Sequence, residues 1–408
     1  MNKPELLAPA GNLEKLKIAI GYGAYAVYCG GFDYGLRAGA DNFSLQELNK
    51  STKFVHQRQK KIYITINMIP HNKDLTDLPD YLHELEEIGV DGLIVSDPGV
   101  INIINKEKID IPLHLSTQAN TVNYAGVRFW KKQGINRIIL ARELSKEEIK
   151  DINHKSDISL EVFIHGAMCI SYSGRCLLSN YMVQRDANQG ECAHCCRWQY
   201  HLMEEQRPGE YYPVVEDEHG SYILNSKDLC LIEYLPQVVN TGVDSLKIEG
   251  RMKGLHYVAT VTGVYRKALD TYLSAPDQYQ FKGQWLRELK KVSHRDYTTG
   301  FFLGAPQKED HSYQESSYLR TFDFMGVVRS YDVKRGEAIV EVREKFFAGD
   351  QIEITGPEIK PFTAKVEYII NEKGDRVNTA PHPHEKIRIP VTKKVKPYYI
   401  VRRQKEEG

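Results

Sequence analysis

The chain has 408 residues, 41% hydrophobic and 26% charged, with Lys plus Arg equal to Asp plus Glu at 54 each. That profile excludes a disordered chain and indicates a soluble globular protein, long enough for a large domain and a smaller one. A net charge of zero confines any polyanion site to a local patch, and seven cysteines are too few for a secreted disulfide scaffold.

The opening Met-Asn-Lys-Pro-Glu runs straight into a strand-like segment without the apolar core of a signal peptide. A cytoplasmic protein with no membrane partner is therefore expected. Short β-branched or aromatic runs then alternate with helical patterns, predicting strands at 5–8, 26–30, 62–69, 92–96, 113–116, 137–141, 160–165 and 245–249. Apolar residues at helical spacing mark 13–22, 45–57, 77–88 and 121–133, and Gly23, Gly89 and Gly134 punctuate their ends. Eight strands, each with its helix, predict an α/β fold: a closed (β/α)8 barrel of the TIM type over 1–321.

Between the seventh and eighth strands, roughly 80 residues (about 166–243) replace the usual ~30 of a βαβ unit. Six of the seven cysteines lie in this insertion: Cys169, Cys176, Cys192, Cys195, Cys196 and Cys230. In such a barrel, function sits on the loops after the strand C-termini, so the enlarged loop belongs to the active face. Thiolates at these mixed spacings can converge on one soft metal centre, and both an iron-sulfur cluster and zinc suit them, the Cys192/Cys195 pair having C-x-x-C spacing. Cys29, at a period-2 position in the second strand, reads instead as a small core residue.

A helix is expected over 257–273, followed by irregular text around Ser293-His294-Arg295 and 297–304. From residue 322 short alternating strands take over at 326–331, 337–342, 351–355, 364–370 and 386–391, separated by Lys334-Arg335-Gly336, Ala348-Gly349-Asp350 and Glu372-Lys373-Gly374-Asp375. They predict a small all-β barrel over 322–408. Its last stretch carries Lys386, Arg388, Lys393, Lys394, Lys396, Arg402, Arg403 and Lys405 with no acidic residue among them, interleaved with Tyr398 and Tyr399. Such a strip can follow a phosphate backbone and stack on bases.

Hydrolytic chemistry finds little footing. Neither a His-Glu-x-x-His helix nor a Gly-x-Ser-x-Gly elbow is present. A cysteine nucleophile at Cys169 with His165 as base is conceivable, although four residues of separation are no sign of spatial pairing.

The segments Glu161-Val-Phe-Ile-His165-Gly-Ala-Met-Cys169 and Gly174-Arg-Cys176-Leu-Leu-Ser179 resemble the signature of peptidase family U32. So do Leu6-Leu-Ala-Pro-Ala-Gly11, Ala26-Val-Tyr-Cys-Gly-Gly31, Gly35-Leu-Arg37-Ala, Ser116-Thr-Gln118, Arg185-Asp-Ala-Asn188, Gly190-Glu-Cys192 and Ser245-Leu-Lys247-Ile-Glu249-Gly-Arg251-Met-Lys253. The family's small C-terminal β domain is matched by 324–403, so the resemblance covers nearly the whole chain.

The resemblance implies a [4Fe-4S] cluster on Cys169, Cys176, Cys192 and Cys230, with Cys196 the rival fourth ligand. Cys195 departs from the family, which tends to proline there. The branch of similar length and domain plan implies hydroxylation of wobble uridine in tRNA to 5-hydroxyuridine, with prephenate as co-substrate, tRNA as partner and a second family member as a candidate protein partner. The family name implies a collagenase-like peptidase as the alternative, and the cysteines a zinc-stabilised RNA-binding module as a third. Prephenate is a dianion, and Arg37, Arg142, Lys247 and Arg251 fall at or just past predicted strand ends, where carboxylates would be bound. Gln118, His165 and Glu249 follow strand ends too and are candidates to orient a base or move a proton.

Overall fold

The computed structural model describes residues 3–32, 34–35, 42–168, 178–185, 193, 195, 202–203, 211–212, 215–217, 220–222, 225–304, 311–312 and 319–405. Seven parallel strands open the fold: β1 (Glu5–Pro9), β2 (Ala26–Gly30), β3 (Lys61–Ile66), β4 (Gly92–Val95), β5 (Leu113–Leu115), β6 (Ile135–Ile139) and β7 (Ser159–Ala167). Late in the insertion comes β8 (Asp228–Cys230), and after it β9 (Ser245–Ile248) and β10 (Tyr297–Thr298). β9 closes the barrel, pairing in parallel with β7 through Ser245 and Glu161 and with β1 through Ser245 and Glu5. β8 lies outside the eightfold ring, antiparallel to β7, and carries β10 on its other edge.

The helices start where the local chemistry tells them to. In α1 (Leu13–Gly21) Asn12 accepts from Lys15 N, while α2 (Leu45–His56) and α6 (Lys146–Lys155) begin with capping boxes, Ser44 with Glu47 and Ser145 with Glu148. α3 (Leu78–Ile88) stops at Gly89, whose φ of 76° puts it in the left-handed region that glycine tolerates best. Asp97 caps α4 (Pro98–Glu107), with Pro98 at its first position. α5 (Tyr124–Lys132) begins three residues later than the predicted 121–133, because Asn123 provides the cap. The other predicted boundaries shift by a few residues. The third strand stops at Ile66 rather than at residue 69, and the sixth runs over Ile135–Ile139 rather than 137–141.

Beyond α7 (Leu178–Val183), α8 (Leu235–Val239), α9 (Leu255–Ser274) and α10 (Gly283–Leu289), the second region is an antiparallel sheet. Its main strands are β11 (Phe322–Asp332), β12 (Glu337–Val342), β13 (Gln351–Gly356), β14 (Ile359–Lys365), β15 (Lys386–Pro390) and β16 (Ile400–Gln404), ordered β14-β13-β16-β11-β12-β15. Val328, Val340, Ile354, Ile387 and Val401 are fully buried in its core. Two details differ from the sequence reading. The strand predicted at 364–370 is Ile359–Lys365 with a separate short pairing at Ile369–Ile370, and β16, which the sequence reading treated only as basic strip, is a central strand paired to both β11 and β13.

The two regions meet through polar contacts. Tyr22 on the barrel donates to the carbonyls of Thr355 and Tyr398 at 3.2 Å, and Glu14 pairs with Arg329 and Arg343. Arg402, fully buried, is held by Glu353 and, at 2.5 Å, by Glu288, with Lys291 bridging the same two carboxylates. Among the described residues, no helix is long and apolar enough to cross a membrane.

Candidate functional site

Along a barrel strand alternate side chains point inward, and here the inward set is strongly polar. Toward the N-terminal end, Arg137 donates to Glu5 at 2.8 Å and lies 3.4 Å from Glu161, Tyr63 donates to Glu5 at 2.8 Å, and the His114 ring meets Tyr63 edge-on. One level up, Lys247 donates to Glu161 at 2.9 Å and its ammonium sits 4.5 Å from the Tyr28 ring and 5.6 Å from Phe163. Burial alone would raise the Glu161 carboxyl, but Lys247 and Arg137 outweigh it and hold it below its usual range. Lys247 is expected from the sequence among the cations that bind the substrate. It is a buried partner of Glu161, because residue 247 faces into the barrel one residue before β9 ends.

The C-terminal mouth lies above this layer. Tyr28 donates to the Glu249 carboxylate at 3.0 Å and to the Ile248 carbonyl at 3.1 Å, while Tyr257 donates to the Glu249 carbonyl at 2.7 Å. Arg251 is buried, and its guanidinium donates to Thr65 Oγ1 at 2.6 Å. A Cβ on Gly30 would stand 2.6 Å from Arg251 Nη1, so the bare backbone of β2 is what lets the arginine lie across the mouth. Arg142, half-buried, stacks 4.0 Å over Phe163. Gln118 accepts from Asn67 at 2.6 Å and from Ser116 at 2.7 Å, which fixes its amide. The structure thus joins Arg142, Phe163, Lys247, Tyr28 and Glu249 in one continuous chain of contacts. Arg37 lies outside the described residues.

His165 sits differently from its expectation as a proton carrier. Its ring is packed among Tyr257, Tyr265 and Tyr297, with centroids 5.9, 5.5 and 5.4 Å away, and burial pushes its pKa down to about 3. It is neutral and weakly basic at pH 7, which does not suit the base of a cysteine protease.

Register places Cys230 opposite His165 across the β8–β7 pair, so its buried thiol lies beside the strand that leads toward Cys169. Cys230 Sγ is 3.9 Å from the Tyr265 hydroxyl, and burial pushes the thiol up to about 11. Cys169, Cys176, Cys192 and Cys196 lie outside the described residues, while Cys195 is buried. Among the described residues no three His, Cys, Asp or Glu side chains converge as a metal site. Cys29 is buried in β2, as its period-2 position indicates.

Sequence reasoning missed several residues here. Tyr28, Thr65 and Asn67 complete the mouth, and Asp228 locks β8 through Arg295, whose Nη2 donates at 2.8 Å and Nε at 3.0 Å. A carboxylate next to Leu229 and Cys230 in a buried strand, and an arginine after His294, were the signals available.

The basic strip of the small domain is mostly spent on internal pairs. Arg402 is buried against Glu288 and Glu353, Arg403 meets Asp350 and Asp323, Lys405 meets Asp323, Arg388 meets Glu337 and Lys396 meets Glu358. Tyr399 is buried, so it offers no face to a base. Carboxylates distant in sequence thus meet much of the strip, while Lys386, Lys393 and Lys394 stay exposed.

The model of peptidase family U32 matches residues 11–312, and that of the U32 C-terminal domain matches 320–402. The chain is 44% identical to tRNA hydroxylation protein P1 of Bacillus subtilis over 99% of its own length and 95% of the relative's. It is 38% identical to tRNA hydroxylation protein P of Escherichia coli, covering 96% of this chain and 94% of that one. A collagenase of Porphyromonas gingivalis is 30% identical, with 97% of each chain covered.

Proposed function

This chain belongs to peptidase family U32, and we propose that it is a tRNA-modifying enzyme that hydroxylates wobble uridine to 5-hydroxyuridine in a prephenate-dependent reaction. The observation that carries the reading is the similarity over nearly the full length to tRNA hydroxylation proteins, at 44% and 38% identity against 30% for the collagenase. The mouth geometry supports it. Arg251 and Arg142 bring two guanidinium groups to the C-terminal end of the barrel, and planar cations of this kind match the two carboxylates of prephenate. Tyr28 and Glu249, hydrogen-bonded to each other at 3.0 Å, offer a hydroxyl and a carboxylate able to hold or move a proton.

A [4Fe-4S] cluster is part of the proposal, with Cys169, Cys176, Cys192 and Cys230 as the ligands and Cys196 as the rival fourth. An all-thiolate donor set suits iron-sulfur ligation, and Cys230 is a buried cysteine without a disulfide. When bound, such a cluster supplies one-electron chemistry or simply cross-links the enlarged loop.

tRNA nucleosides analysed by mass spectrometry test the reaction. A strain lacking this protein and a strain unable to make prephenate should both lose the hydroxylated wobble uridine. Normal modification in prephenate-starved cells would remove prephenate from the proposal.

A further inference from the structure

Helices on the outside of a (β/α)8 barrel bury a stripe against the strands, and α2 and α3 do so with four buried residues each. α5 buries only Val127. Its exposed surface is not the polar face expected of such a helix: Phe129 is 54% exposed, and Tyr124 and the preceding Val122 are each 38% exposed. Trp130 is half-buried, and Phe129 meets it edge-on at 5.1 Å.

Residues three and four apart share a helix face, so two rows result. Tyr124, Arg128 and Lys131 form one, turned toward the end of α6. There Arg128 donates to the Lys155 carbonyl, and the Arg128 and Lys155 cations lie 5.2 and 5.0 Å from the Tyr124 ring. Ala125, Phe129 and Lys132 form the other, all exposed. Asp157 and Asp151 pair with Lys131 and Lys155. These pairs are solvent-exposed and weak, unlike the buried pairs that occupy Arg402.

We propose that the exposed face of α5, with the C-terminal end of α6, is an RNA-contact surface of the barrel. The proposal rests on the tRNA reading above and names where the tRNA is held. Phe129, with the edge of Trp130, offers a stacking face to an unpaired base, and Arg128, Lys131, Lys132 and Lys155 take the adjoining phosphates. Charge selects RNA over a protein partner. Protein interface cores are depleted in lysine, whereas three lysines border these rings, and aromatics interleaved with cations are what a single-stranded nucleic acid requires.

The test is fluorescence anisotropy of the full-length protein with an unmodified tRNA transcript at several salt concentrations. Phe129→Ala should weaken binding by about tenfold, from loss of one stacked base. The double variant Arg128→Ala/Lys132→Ala should reduce the slope of log affinity against log salt by roughly 0.7 to 0.9 per cation removed. Lys393→Ala/Lys394→Ala in the small domain should change neither, and circular dichroism melts should stay within about a degree of wild type. Wild-type affinity in the α5 variants would overturn the surface assignment while leaving the tRNA reading intact. Absence of tRNA binding by the wild-type chain would overturn both. Conversion of a dimer to a monomer by Phe129→Ala, with tRNA affinity unchanged, would show a self-association face and overturn the proposal.

Discussion

Lys247 Nζ lies 2.9 Å from Glu161 Oε1 inside the barrel, and both side chains are almost wholly removed from water. The pair joins β7 to β9, the two strands that close the ring, so a charge contact stands at the seam of the fold. Breaking a buried pair strands the remaining charge, at a typical cost of about 3–5 kcal/mol. Lys247→Met should therefore lower the unfolding free energy by about 3 kcal/mol, the lower end of that range because Arg137 still faces Glu161. Combining it with Glu161→Gln should cost clearly less than the two single changes added together. Additive losses in chemical denaturation would show that the two groups do not interact.

His114, His165 and His256 are each buried, and burial pushes all three down to about 3 from an ordinary 6.5. A base whose folded pKa is depressed gives stability that is complete above the unfolded value and is lost as pH falls toward the folded one. Between about pH 6 and 4 the unfolded chain binds protons that the native chain refuses, so stability should fall by about 1.4 kcal/mol per pH unit for each histidine. Urea unfolding at pH 7.5, 6, 5 and 4 checks this, and His114→Phe should make the decline shallower by one proton. A pH-independent unfolding free energy over that range would contradict the burial of these rings.

Much of the barrel was legible because its signals are local. Alternating runs such as Ile62 to Ile66, N-caps such as Ser44 and Ser145, and stops such as Gly89 each report one element from a few residues. The mouth was legible in part. Arg142, Glu249, Arg251 and Gln118 each follow the end of a barrel strand, but the sequence could not say that Lys247 points down at Glu161 or that His165 is enclosed by three tyrosines. Those facts depend on which strand lies beside which. The same limit applies to one residue of the C-terminal strip: Arg402 looks like one more surface cation until Glu288 and Glu353, 114 and 49 residues away, close over it.

Arg402 should therefore behave as a structural residue and not as an RNA contact. Removing it leaves Glu288, Glu353 and Lys291 in a half-satisfied cluster beneath β16, so Arg402→Ala should destabilise the protein by about 3–5 kcal/mol. Its tRNA affinity, measured where the variant is still folded, should match wild type. Unchanged thermal stability would show that the buried pairs do not hold the two regions together.

Protein purified without oxygen should be brown, absorb broadly near ~400 nm and hold about four irons per chain. Cys169→Ala, Cys176→Ala, Cys192→Ala and Cys230→Ala should each remove the colour. Cys29→Ala should keep it, since that thiol is packed in β2 with its pKa pushed up to about 12 by burial. Stoichiometric zinc without iron or sulfide would replace the cluster with a structural metal.

Whether the barrel mouth serves hydroxylation of tRNA is decided by mass spectrometry of wobble nucleosides from a complemented deletion strain. Wild-type protein should restore 5-hydroxyuridine and its derivatives. Arg142→Ala and Arg251→Ala should restore them poorly while retaining iron, because losing a charged contact to a bound anion costs roughly 2 to 5 kcal/mol, about thirtyfold or more in binding. Arg251→Lys, which keeps the charge, separates loss of function from loss of fold. Full restoration by both alanine variants would remove the mouth from the reaction. An unchanged level of 5-hydroxyuridine in the deletion strain itself, once any parallel pathway is deleted, would show that this protein has no part in the modification.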